Sequence, residues 1–316
     1  MLHFLRRFGT LIGFAIILVV FWVNLPDTFM TARNWLNITQ QLSMLTVVAA
    51  GMTIVMVMND FDLSVGSTAS LAGVVAAIVF VAGYGIPEAV AAALLVGLAG
   101  GLFNGIMVAV FGILPFVATL ATLTMFSGLA FIVSGGKTIS GRAIPEAFGG
   151  FARGSIDLFG LAIPNLTLVA LAVVVVTYLL LEHTTLGRRL YAIGGNIEAA
   201  HLSGVPVKTL KIAAFALTGL SAAGAGLLYA SRVASANPTQ GSGLMLNAIA
   251  AVFLGMTMSP AGEPRILATI IGVLILGVLD NGLTQLAVDS YVRQVLVGGI
   301  ILIAVAAGSI GKRRRG

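Results

Sequence analysis

Long apolar stretches separated by short polar breaks dominate this chain. A helix needs about 20 mostly apolar residues to cross the hydrocarbon core of a bilayer. Ten stretches approach that length: roughly 8–25, 40–58, 65–83, 87–111, 115–134, 160–182, 210–230, 245–258, 266–286 and 292–310. The pattern predicts an all-α polytopic membrane protein with about ten transmembrane helices, forming a single transmembrane domain over residues 1–316. Several stretches are interrupted by Gly and Pro. The eighth is the weakest and ends at Met258-Ser259-Pro260.

Two polar breaks are long. Residues 135–159 read as an external loop rich in Gly, Pro and polar residues. Residues 183–209 read as a cytoplasmic loop with helical character. Within it, Glu198–Leu202 is predicted to form a short helix, with Asn196 as its N-cap and Gly204 as its stop. Such a helix suits docking onto another protein, and a plain connecting loop is the competing reading. Glycine recurs at four-residue spacing in Gly97, Gly101 and Gly105, and in Gly9 and Gly13. That spacing predicts close helix–helix approach. Gly51-Met52-Thr53 returns as Gly255-Met256-Thr257, and Asn104-Gly105 as Asn281-Gly282, a faint sign of two pseudo-symmetric halves.

Composition makes lipid the solvent for much of the surface. Apolar residues are 59% of the chain and charged residues 9%, against about 25% charged in a soluble domain. There is no cysteine, and His3, His183 and His201 are scattered. Disulfides, thiolate chemistry and a metal site are therefore not expected. Arg6 and Arg7 precede an apolar stretch as in a signal peptide, yet no small-residue cleavage site follows, so residues 10–24 read as a retained first helix. The net charge of +6 points to orientation in a membrane, with no nucleic acid implied. With ten crossings and a cytoplasmic N-terminus, eleven cations fall on the cytoplasmic side and six on the other. This agrees with the positive-inside rule and places both termini in the cytoplasm.

Candidate chemistry concentrates in Asn59-Asp60-Phe61-Asp62-Leu63-Ser64-Val65-Gly66-Ser67, which interrupts two apolar stretches and holds two acids with no cation among them. At membrane depth such a segment must line a cavity or be buried in protein. The bland alternative is a cytoplasmic turn with solvated carboxylates. Asn104, Thr119, Thr122, Thr124, Asn247, Asp280, Asn281 and Gln285 also sit in apolar surroundings. As a set they outline a polar path for a hydroxylated solute, although interhelical hydrogen bonding explains each singly. Ser134-Gly135-Gly136-Lys137-Thr138 ends like a phosphate-binding loop, but Phe131 stands where its first glycine would be. No His-Glu-x-x-His or credible Gly-x-Ser-x-Gly motif is present, so no enzyme and no cofactor is expected.

Asp62-Leu63-Ser64-Val65-Gly66-Ser67 resembles a signature of the ribose/xylose/arabinose-type permeases of ATP-binding cassette (ABC) importers. So does Pro115-Phe116-Val117-Ala118-Thr119-Leu120. The stretch from Thr185 to Asn196, continuing through Ala199 to Val205, is similar to the family's cytoplasmic loop. Further matches are Ser235 to Thr239, Ala248 to Val252, and Ile270 to Gly277 continuing to Asn281-Gly282-Leu283. The likeness covers nearly the whole chain, in order.

The resemblance implies the permease of a type II-like importer that carries a sugar or similar polyhydroxylated solute across the bacterial inner membrane. It implies three partners: a cytoplasmic ATPase subunit, a periplasmic solute-binding protein, and a second permease, either itself or a paralogue. On this reading Asp60, Asp62, Ser64, Asn104, Phe116, Thr119, Asn247 and Asn281 line the substrate pathway. Leu186, Gly187, Arg188, Arg189, Asn196, Glu198, Ala199, Ala200 and Gly204 couple to the ATPase.

Three segments depart from the family pattern. Asn59-Asp60-Phe61 replaces Gly-Gly-Ile, Met245-Leu246-Asn247 replaces an acidic Glu/Asp-Leu-Asp, and residues 255–265 replace a glycine-richer loop. Two other readings stay open: an ion-coupled transporter using Asp60 and Asp62, and a membrane-embedded enzyme or scaffold.

Overall fold

The computed structural model describes residues 2–158, 160–259, 261–296, 298–299 and 302. The main helices are α1 (Leu2–Asn24), α2 (Ala32–Met56), α3 (Val65–Val81), α4 (Ile86–Ala109), α5 (Pro115–Ser134), α6 (Glu146–Arg153), α7 (Asn165–Tyr178), α8 (Thr185–Gly195), α9 (Ile197–Leu202), α10 (Val207–Val233), α11 (Leu244–Met256) and α12 (Ile266–Gln285). A π-helical turn, Leu179–His183, extends α7. Among the described residues, six helices are long and apolar enough to cross a membrane: α2, α4, α5, α7 with its extension, α10 and α12. Gly9–Asn24, α3 and α11 are shorter apolar helices. The expected stretch 292–310 and the cations Lys312 to Arg315 lie largely or wholly outside the described residues.

Helix ends follow local chemistry. Pro115 opens α5, where a missing N–H costs nothing. Gly135 closes it at φ +61°, a left-handed conformation that glycine adopts freely. Helix α2 starts well before the apolar stretch begins. Its first turns carry Arg33, Asn34, Asn37 and Gln40, which an apolar-length criterion passes over.

The chain forms two compact units, residues 43–246 and residues 1–42 with 247–316. In the first, α3, α4 and α10 pack together. A Cβ on Gly97 would lie 2.4 Å from the Gly219 carbonyl oxygen, and one on Gly101 2.3 Å from that of Phe215. One on Gly105 would meet Ile212 Cα at 2.7 Å. The backbones of α4 and α10 thus touch along the predicted glycine face, where van der Waals contact drives helix association in lipid. Gly9 and Gly13 share that spacing, yet among the described residues nothing lies within 4 Å of a Cβ at either. Thr218 Oγ donates to the Gly51 carbonyl at 2.8 Å, joining α10 to α2.

Residues 135–159 hold more structure than a loop. Strand β1 (Ile139–Ser140) pairs antiparallel with β4 (Ser235–Ala236), and β2 (Ser155–Leu158) pairs with β3 (Leu161–Pro164). Helix α6 buries Phe148 and Ala152, with the Phe148 ring 5.1 Å from that of Phe80. The second unit packs Gly272 on Ala251, Gly277 on Leu42 and Gly282 on the Phe21 ring.

Candidate functional site

The linker 57–64 leaves α2 through a residue in left-handed conformation, Asn59 at φ +61°, and enters α3 at Val65. Asp62 is buried at its centre. Its Oδ1 accepts from the Ser64 backbone N–H at 2.9 Å, from Ser64 Oγ at 2.6 Å and, more distantly, from Asn104 Nδ2 at 3.4 Å. The carboxylate therefore closes a local turn at the entry to α3, bonding the backbone two residues on as a short acid does. Asn104 Nδ2 also donates to Ser64 Oγ at 2.9 Å, and its Oδ1 accepts from Thr122 Oγ at 2.8 Å. The network ties the linker to α4 and α5, and all four side chains are buried.

Asp60 faces a different partner. Lys211 Nζ on α10 lies 2.8 Å from its Oδ2 and 3.1 Å from its Oδ1. Both side chains are largely buried, at 13% and 8% exposure for Lys211 and Asp60. Burial raises the pKa of both acids. Lys211 pulls Asp60 back down, and the Ser64 and Asn104 hydrogen bonds do the same for Asp62. Each carboxylate is thus engaged by donors of the protein itself.

The predicted pathway residues fall into two groups. Asp60, Asp62, Ser64, Asn104 and Thr119 come together around the linker. Thr119 is buried and donates to the Pro115 carbonyl at 2.8 Å, with the Phe61 carbonyl 3.5 Å away. Phe116 lies one turn earlier on α5 and is 57% exposed. Asn247 and Asn281 belong to the other unit. Asn247 is exposed. Asn281 exchanges hydrogen bonds with Asn34 and accepts from Gln285 Nε2 at 2.8 Å. Lys211 was missed by sequence reasoning. It reads as one more orienting cation, and only the fold brings it to a carboxylate 151 residues away.

The predicted coupling residues fall in a helical pair. Thr184 Oγ caps α8 by accepting from the Gly187 N–H at 3.2 Å. Asn196 Oδ1 caps α9 by accepting from the Ala199 N–H at 2.9 Å. Gly204 follows α9 at φ +80°, as the stop predicted from sequence. Gly187 and Ala200 are buried and Leu186 is half-buried. Arg188, Arg189, Asn196, Glu198 and Ala199 are exposed, as are the apolar Ile197 at 49% and Leu202 at 81%. The pair therefore presents two cations and two apolar side chains outward. The two regions touch where Asn59 Nδ2 donates to the Gly194 carbonyl at 2.5 Å.

Residues 34–305 match the family model described as branched-chain amino acid transport system / permease component. The chain is 39% identical over 297 residues to the ribose import permease protein RbsC of Escherichia coli (strain K12), covering 92% of this chain and 90% of that one. It is 39% identical over 307 residues to RbsC of Bacillus subtilis (strain 168), covering 96% and 94%. It is 38% identical over 299 residues to the L-arabinose transport system permease protein AraH of E. coli (strain K12), covering 95% and 89%. No solved structure matches the chain. With its apolar helices, this end-to-end likeness makes the chain a multi-pass membrane protein that belongs to the transport-system permease family, among the ribose/xylose/arabinose-type ABC permeases.

Proposed function

We propose that the chain is the translocation subunit of an ABC importer that carries a monosaccharide across the bacterial inner membrane. The observation that carries this reading is the likeness, over more than nine-tenths of the chain, to permeases named for ribose and arabinose. A separate cytoplasmic ATPase drives alternating access, a periplasmic solute-binding protein delivers the sugar, and a second permease completes the path. The whole chain acts as one permease domain of ten spans in two pseudo-symmetric halves, with both termini cytoplasmic. Asp60, Asp62 and Ser64 of the linker 57–64, with Asn104, Phe116, Thr119, Asn247 and Asn281, line the path.

In this reading α8 and α9 rest on the ATPase. Arg188 and Arg189 offer charge, and Ile197 and Leu202 offer apolar contact. The test is uptake of labelled D-ribose, L-arabinose and D-allose by vesicles holding the complete transporter. Uptake of at least one sugar is expected, dependent on ATP and insensitive to an ionophore. Replacing Arg188 and Arg189 together with Glu should abolish uptake while leaving the assembled permease in the membrane. Unchanged uptake in that double variant would sink the docking role of this surface.

A further inference from the structure

A small cavity of about 140 Å³ opens between α3, α5 and the segment that follows β4. Five hydroxyls line it: Ser67 and Ser70 on α3, Ser127 on α5, and Thr239 and Ser242 on the segment after β4. Leu63, Leu123 and Met245 supply apolar walls. No charged side chain is among its lining residues. The space is well above the roughly 10–15 Å³ that admits one water, and it takes several waters or one small sugar ring.

The cavity is built rather than left over. Gly241 donates its N–H to Ser70 Oγ at 2.8 Å. A Cβ on Gly66 would lie 2.6 Å from the Gly241 carbonyl oxygen, and one on Gly241 would lie 2.1 Å from that of Gly66. Two backbones thus meet at its base and hold the segment 238–245 against α3. Asn237 Oδ1 accepts from both the Thr239 N–H and the Thr239 Oγ, at 2.8 and 2.7 Å, which fixes the turn. Ser67 Oγ donates to the Ser64 carbonyl at 2.9 Å, so the cavity adjoins the Asp62 network. Thr239 and Ser242 are exposed and Ser67 and Ser127 half-buried, so the cavity has a mouth. Among the described residues, the Ser127 and Ser242 hydroxyls make no hydrogen bond of their own.

We infer that this cavity is a contact station for a neutral monosaccharide on its way through the permease. The inference rests on the sugar-importer reading and adds where the sugar touches the chain. A hydroxyl both donates and accepts, so a lining of hydroxyls pairs with sugar hydroxyls in several orientations. Apolar walls match the C–H face of a ring. With no charge and no metal-like ligand set, the lining gives weak, orientation-tolerant contact. That suits a station a solute must leave as readily as it enters.

The chain contains no cysteine, so Ser127→Cys or Ser242→Cys would carry the only thiol of the permease. Each variant is assembled into the complete transporter and treated with a bulky maleimide. Leu95→Cys, exposed on α4 and outside the cavity, sets the background. Modification at 127 or 242 should abolish most uptake of labelled D-ribose, L-arabinose or D-allose, whichever the transporter takes up, and leave ATP hydrolysis in place. That sugar, present during turnover, should slow labelling at these two sites and not at 95. Full uptake after complete modification at both sites overturns the station alone. Failure of the unmodified variants and of the parent to take up any of the three sugars overturns the sugar reading, and this inference with it.

Discussion

The linkers 57–64 and 183–206 are both polar breaks between apolar helices, and they resolve in opposite ways. The first is drawn inward. Its two acids are buried, Asp60 against Lys211 on α10 and Asp62 against Ser64 of the linker itself with Asn104 of α4 farther off. The second supplies its own caps from Thr184 and Asn196 and stands outward as α8 and α9. Polarity alone therefore does not decide whether a break in a membrane chain is buried. The first break is held by α4 and α10 as well as by its own Ser64, whereas the second caps its own helices and leaves Arg188, Arg189, Ile197 and Leu202 exposed. The two meet at Gly194, where a Cβ would lie 1.9 Å from the Val57 carbonyl oxygen.

The sharpest way to break this contrast is at that contact. Gly194→Val places carbon on a backbone oxygen, and it should cost more than about 4 kcal/mol, read as loss of folded protein or of its thermal midpoint in detergent. Asp62→Ala strands the Ser64 N–H and the Ser64 hydroxyl proton in a buried site, and it should cost about 3 kcal/mol in the same measurement. Asp62→Asn, which keeps an acceptor in place, should cost less than half of that. Asp60→Asn removes the charge that Lys211 faces, for about 2 kcal/mol. On the outward linker the effects shrink. Asn196→Ala loses one helix cap, about 1 kcal/mol. Arg188→Glu with Arg189→Glu should move stability by less than about 0.5 kcal/mol, since neither side chain is buried. An outward variant that unfolds the protein as Asp62→Ala does would erase the distinction.

The apolar periodicity made the helices legible. The first nine expected stretches are helices, most of them ending within a few residues of the expected positions. Asp62, Ser64 and Asn104 could be picked out because each is polar where its neighbours are not. The α9 cap was legible because Asn196 acts on an amide three residues away. Lys211 and the β1–β4 pairing were not, since each joins positions roughly a hundred or more residues apart, and no local pattern marks such a pair. The hydroxyl-lined cavity escaped for another reason. Serine is at home in membrane helices, where it hydrogen-bonds within or between them, so single serines give no signal until the fold gathers them.

The glycine contacts of α3, α4 and α10 set how this core can move. Between Gly97 and Gly219, and between Gly226 and the Ala69 carbonyl, backbone meets backbone with no side-chain layer to rearrange. Shifting one helix past another by a single residue would drive Cβ atoms into carbonyl oxygens. Closely packed interfaces of this kind switch between discrete arrangements more readily than they deform. Moving these three helices relative to one another therefore requires separating backbones, whereas α5 and α7 turn broad faces away from the core.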